Sequence, residues 1–321
     1  MQIGLFDPLF STLTLDEFFA ELKRYPEITA IEIGAGGWPG NAHIDPLRLL
    51  ADSAAAKEYR QRFADAGLTI SALSCHGNPV HPQQAIAQRD RTLMEDTLRL
   101  AERLEVPVVI GFSGCPGGAP GDSTPNWITA AWPPEYQEML EWQWDHELVP
   151  YWKATERTAA DRGVKIALEA HPGFCVYNPE TLLQLRQATG KSLGINLDPS
   201  HMWWQGIDLP TAIVNLGEAI FHFHAKDVAI NLNQTRANGV LDVKSYTRMK
   251  ERSWLFRSVG WGHSELEWKA IASALRLAGY DYVMSIEHED ALASTNEGLR
   301  SAVNMLSRVL LKEPPVEAYW T

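Results

Sequence analysis

Three cysteines in 321 residues, Cys75, Cys115 and Cys175, are odd in number and widely spaced, and they lack metal-finger spacing. They exclude a disulfide framework and predict reduced, packed thiols in a cytosolic protein. Positive charge is also scarce. The 28 Lys and Arg stand against 40 Asp and Glu, a formal net charge of −12, which argues against a nucleic-acid partner because such binding draws on cationic contacts to phosphates. No uninterrupted apolar stretch reaches the ~20 residues of a membrane-spanning helix, so no membrane partner is expected. The opening MQIGLFDPLF has no basic leader before its apolar run. It reads as a strand and a turn, not an export signal, and a cytoplasmic location is expected.

What is present is an alternation. Hydrophobic residues make up 45% and charged residues 21% of the chain, ordinary for a globular protein with a large core. Short β-type runs occur at Ile3 to Phe6, Ala30 to Ile33, Thr69 to Ser74 and Val106 to Phe112. Between them lie segments with apolar residues at helical spacing: Leu15 to Tyr25, Pro46 to Ala66 and Ala85 to Leu104. Gly67, Gly163, Gly190 and Gly279 each follow a helical stretch and precede a strand, where a glycine can close the helix in the left-handed conformation. Four further apolar runs complete a count of eight strands. The pattern predicts a (β/α)8 TIM barrel with residues 1–321 as one domain.

Two connections are too long for simple turns. The segment at about 113–150 opens with SGCPGGAPGDSTP and continues into AAWPPEYQEMLEWQWDHELVPYW; on the rim of a barrel such a connection is expected to act as a lid or binding loop. The second, about 227–263, concentrates Arg236, Lys244, Arg248, Lys250, Arg252 and Arg257 in an otherwise acidic chain. Two readings stand open: a surface for an anionic substrate or partner chain, and a solvated loop with local charge balance.

The last four strands carry the chemistry. Glu169 follows VKIAL, Asp198 follows LGINL, His224 ends IFHFH and Glu287 follows YVMSI. Taken singly, each acid is an ordinary helix cap or strand-end ion partner, and the imidazole a hydrogen-bonded core histidine. Their recurrence at four strand ends favours one divalent metal ion, because three buried carboxylates repel one another without a cation. The oxygen-rich donor set suits Mn(II) first, with Mg(II), Co(II) and Zn(II) compatible.

The motifs LEAHPG, NLDPSH, FHFHAKD, SVGWGHSELEW and SIEHED around these residues resemble those of the sugar isomerase/epimerase superfamily with the xylose isomerase-like TIM barrel. The resemblance spans nearly the whole barrel. It implies Glu169, Asp198, His224 and Glu287 as metal ligands and His201 and Lys226 as groups directed at substrate oxygens. It also implies isomerisation or epimerisation through an enediolate, with Glu169 and Glu287 as an acid/base pair beside a metal-bound carbonyl. Where ketose 3-epimerases carry a second Glu and an Arg, this chain has Cys175 and Ile230, a departure that weighs against simple free-ketohexose epimerisation. The metal-binding subunits of C-glycoside deglycosidases are also similar, which implies the alternative of β-elimination from a 3-keto-glycoside, with His146 as an added base.

Around this centre, His76 and His81 after the third strand are candidates for hydrogen bonds to hydroxyls, with His171 and His263 weaker ones. Trp38 is a candidate sugar-stacking surface, and Trp127, Trp132, Trp142, Trp144, Trp203 and Trp204 divide between that role and packing. The expected partner is a small carbohydrate or glycoside, with a homo-oligomer or a small partner subunit compatible. An endonuclease of related barrel shape calls for further His ligands and a basic groove, and a sugar-binding module has no use for an acid/base pair.

Overall fold

The computed structural model describes residues 1–317 and 320. Its frame is ten strands: β1 Gln2–Phe6, β2 Ile28–Gly34, β3 Thr69–Ser74, β4 Val108–Phe112, β5 Lys165–Glu169, β6 Leu193–Leu197, β7 Ile220–Ala225, β8 Asp227–Ile230, β9 Trp254–Arg257 and β10 Val283–Ile286. Eight of them close a barrel in the order β1-β10-β7-β6-β5-β4-β3-β2. All neighbours in it are parallel, and β1 meets β10 from Gln2↔Val283 to Leu5↔Ile286. The (β/α)8 expectation is met, with the eight barrel strands at the eight apolar runs.

Both faces of each barrel stave are covered, so the strands read as continuous apolar runs; Leu193–Leu197 is buried throughout. Within the barrel the period of two sorts residues by height. Ala167 and Ile110 share faces with Glu169 and Phe112, and with Ala72, Val108 and Phe221 they form a small apolar plug beneath the polar rim. Outside, the helices lay apolar stripes on the staves: in Gln84–Leu104, Met94, Leu98, Ala101 and Leu104 are buried at helical spacing.

Two details depart from expectation. The stretch 46–66 is two helices, Pro46–Ala51 and Ser53–Asp65. Asp52 ends the first and caps the second, its carboxylate accepting from the amides of Ala54 at 2.8 Å and Ala55 at 3.2 Å. Gly67, Gly163 and Gly279 have positive φ as expected, whereas Gly190 is extended (φ 161°); there the constraint is contact, since a Cβ would lie 2.4 Å from the Glu156 carboxylate.

The first insertion is fastened to the barrel. Its helices Glu135–Trp142 and Gln143–Leu148 run into Val149–Asp161. Gln143 donates to the carbonyls of Gly117 and Asn126 at 2.9 and 2.6 Å, while Trp152 Nε1 donates to Ser113 O at 2.8 Å. The second insertion is folded as well. Its ends pair as antiparallel β8 and β9, from Asp227↔Arg257 to Ile230↔Trp254. Buried Asp227 anchors it, accepting from the amides of Gly260, Gly262 and His263, from the His263 ring and from Trp268 Nε1. Among the described residues no helix is long and apolar enough to cross a membrane.

Candidate metal centre and active site

Four consecutive staves, β5, β6, β7 and β10, deliver Glu169, Asp198, His224 and Glu287 to one rim. One ligand atom from each lies within 4.8 Å of the other three. Asp198 begins the short helix Pro199–Trp203; its Oδ1 accepts from Ser200 N at 2.8 Å, which leaves Oδ2 for the centre. His224 points Nδ1 the same way, 3.0 Å from Glu287 and 3.4 Å from Glu169. Asp198 Oδ2 and His224 Nδ1 are buried, the first 3.0 Å from the Lys226 ammonium and the second 3.0 Å from the Glu287 carboxylate. Three carboxylates and one imidazole converging in this way are a donor set that fits a divalent cation.

The electrostatics are those of a crowded acid cluster. Burial opposes charge on Glu169, but hydrogen bonds from His201 and His76 prevail and hold its carboxyl well below the usual range. Burial, reinforced by Glu287 and Glu169, pushes Asp198 up to about 7 against the pull of Lys226. Glu287 is lowered despite burial because Lys226 and His224 lie beside it. Both of those bases are raised, again against burial, by the carboxylates around them. The buried Lys226 ammonium sits 2.8 Å from Glu287 and 3.0 Å from both Asp198 and Glu289.

The structure brings most of the predicted residues together. His76 Nε2 is 3.1 Å and His201 Nε2 3.2 Å from Glu169. Burial lowers His201 to about 3, so it stands neutral there. Trp38, 63% exposed, overhangs a cavity of about 330 Å³ that also meets His76, Glu169, Lys226 and Glu287. His171 lines the same cavity, its ring 4.1 Å from that of His201.

Other candidates are not brought there. His81 lies outside the residues lining the cavity, and its Nδ1 accepts from Gln83 N at 3.0 Å. His146 is exposed on the helical turn Gln143–Leu148, which buries Gln143, Trp144 and Leu148 and so turns His146 away from the packed side. It does not line the cavity. His263 stacks on Trp203 at 3.7 Å and pairs with Asp227, while Trp204 stacks on Trp254 at 4.9 Å, so these serve packing. Four of the six cations of the basic insertion are locally balanced: Lys244 and Arg252 face Asp242, Arg257 faces Asp290 and Arg248 pairs with Glu251.

Two acids escaped the sequence reading. Fully buried Glu32 on β2 brackets His224 Nε2, with its oxygens at 3.0 and 2.9 Å, and accepts from Ser74 Oγ at 2.5 Å. Burial opposes its ionisation, yet His224 lowers its pKa. With its proton on Nε2, His224 presents a lone pair at Nδ1 to the cation site, the arrangement by which a carboxylate orients a ligating imidazole. A charged residue inside the apolar run ITAIEIG was the available signal. Glu289, two residues past Glu287, closes the far side of Lys226.

Residues 19–309 match the family described as xylose isomerase-like TIM barrel, and the chain belongs to that family. The chain is 40% identical over 286 residues to the uncharacterized protein YfiH of Bacillus subtilis (strain 168), covering 88% of this chain and 91% of that one. Three solved structures share the fold at low identity. One is the probable 3-DHS dehydratase AsbF of Bacillus anthracis, with a TM-score of 0.66, 17% identity and coverage of 96% of this chain and 99% of that one. Another is the IolI protein with a bound zinc atom (0.64, 18%, 97% and 98%). The third is D-psicose 3-epimerase of Clostridium cellulolyticum H10 with D-tagatose (0.61, 14%, 96% and 98%).

Proposed function

We propose that this protein is a divalent-metal-dependent carbohydrate isomerase or epimerase that moves a proton on a carbon beside a carbonyl. The observation that carries the reading is the pair Glu169 and Glu287, two carboxylates from the outer members of four consecutive staves, meeting one centre and one cavity. Glu169, Asp198, His224 and Glu287 would hold the cation, with Mn(II) first and Mg(II), Co(II) or Zn(II) compatible. When bound, a divalent ion supplies electrostatic stabilisation for negative charge developing on a carbonyl oxygen.

The chain's own groups do the rest. Glu169, steadied by His76 and His201, and Glu287, steadied by Lys226, take and return the proton. Trp38 and Phe112 form an aromatic flank at the cavity, their rings 5.4 Å apart, where the apolar face of a sugar can stack. The zinc atom named with the IolI protein and the sugar named with D-psicose 3-epimerase support the reading by analogy of fold.

The test is a panel of free and phosphorylated sugars and 3-keto-glycosides, incubated with metal-loaded protein in deuterated water and followed by NMR. Deuterium entering beside the carbonyl of at least one sugar, with interconversion and no lost substituent, is the expected result. No exchange across the panel refutes the proposal. Release of an aglycone from a 3-keto-glycoside would instead select β-elimination, a reading weakened by the position of His146 outside the cavity.

A further inference from the structure

The cavity at the metal centre has a neighbour that shares part of its wall. A second cavity of about 370 Å³ shares His171 and Glu289 with it. Its remaining lining is apolar or aromatic: Tyr246, Met249, Leu255 and Phe256 from the second insertion, with Ala291 and Leu292 from the loop after β10. Phe256 is the partition. Its ring lies 4.7 Å from Lys226 Nζ and presents an edge to His201 at 5.4 Å, while it also stacks on Tyr246 at 5.6 Å and 19°.

Two features narrow what enters. No Lys or Arg lines the chamber, and Glu289 does, so it offers an anion no cationic wall. Leu292 is 58% exposed in it, a large apolar side chain left in water. A chamber joined to a polar reaction centre through two shared residues and otherwise apolar suits an apolar extension of the molecule held at that centre.

We propose that this chamber is a second substrate subsite, receiving an apolar, aromatic-sized substituent of a carbohydrate whose polar end lies at the metal centre. The natural substrate is then a substituted sugar, and the β8–β9 insertion is the element that selects it. This rests on the carbohydrate reading above. The geometry gives the insertion a purpose: Asp227 fastens it directly after Lys226, so the chamber wall and the centre are set by adjacent residues.

The experiment compares two probes, methyl β-D-glucopyranoside and phenyl β-D-glucopyranoside, titrated calorimetrically into Mn(II)-loaded protein. A phenyl ring transferred from water to this chamber should tighten binding by about tenfold or more. Leu292→Glu and Met249→Glu, at exposed and half-buried positions, should each abolish that advantage while leaving the methyl glycoside unchanged. Circular dichroism identifies either variant that fails to fold, leaving the other to decide. Equal affinity for the two probes, no binding of either, or an advantage that survives both substitutions overturns the subsite. Deuterium exchange across the panel of free, phosphorylated and substituted sugars reports on proton transfer alone, so its failure beside an intact phenyl preference would remove the isomerase reading and leave the subsite standing.

Discussion

Replacing Glu32 by glutamine removes one negative charge from beneath the proposed metal centre while keeping the shape of the side chain. In the native chain both carboxylate oxygens lie within 3.0 Å of His224 Nε2, in a fully buried position. The amide of the Glu32→Gln variant would keep one acceptor for the Nε2 proton, so the ring orientation should survive. What is lost is the charge that makes Nδ1 a better donor to a cation. Removing such a supporting carboxylate typically weakens metal affinity by about 10–100-fold, or roughly 1.4–2.7 kcal/mol; the retained acceptor argues for the lower half of that range. Competition against a calibrated chelator measures the affinity directly. The stabilisation against heat at saturating metal should also shrink by about 1.4 kcal/mol for each tenfold loss. Unchanged affinity, with circular dichroism showing a native fold, would refute the assignment of Glu32 as the group that orients His224.

Three further outcomes are expected. Glu169→Gln and Glu287→Gln should each lower deuterium exchange into substrate by about 10² to 10⁴ with little change in thermal midpoint, and wild-type exchange in both variants would exclude the acid/base pair. Asp227→Ala should destabilise the fold by about 3–5 kcal/mol, because it strips a buried acceptor from the amides of Gly260, Gly262 and His263 and from Trp268. A urea midpoint within error of wild type would contradict that role. His146→Ala should leave both exchange and stability unchanged, since the side chain is exposed and off the cavity; a loss of activity measured by NMR would return it to the site.

The tetrad was legible because each of its members ends a stave. Strand endings are local events, read from where an apolar run stops, and the run of β5, β6, β7 and β10 puts four such endings side by side. His76 was legible for the same reason, lying two residues past β3, whereas His201 and Lys226 were indicated by the resemblance of NLDPSH and FHFHAKD to family motifs. His146 was not, because the orientation of a side chain on an insertion depends on which face of its helix finds a surface. There the buried residues are Gln143, Trp144 and Leu148.

The sequence by itself determined the alternation of strand and helix, and with it the barrel and the rim that carries Glu169, Asp198, His224 and Glu287. Continuous apolar runs bounded by turn residues and alternating with helical stretches leave few other ways to bury eight strands. Tertiary structure decided what no local pattern encodes. Glu32 meets His224 across 192 residues only because closure sets β2 and β7 across one interior. The insertion at 227–263 became an ordered wall instead of a solvated loop because Asp227, buried under it, draws its returning backbone amides to one carboxylate. Both depend on long-range burial of charge, where the partner is chosen by the fold and not by neighbours in the chain.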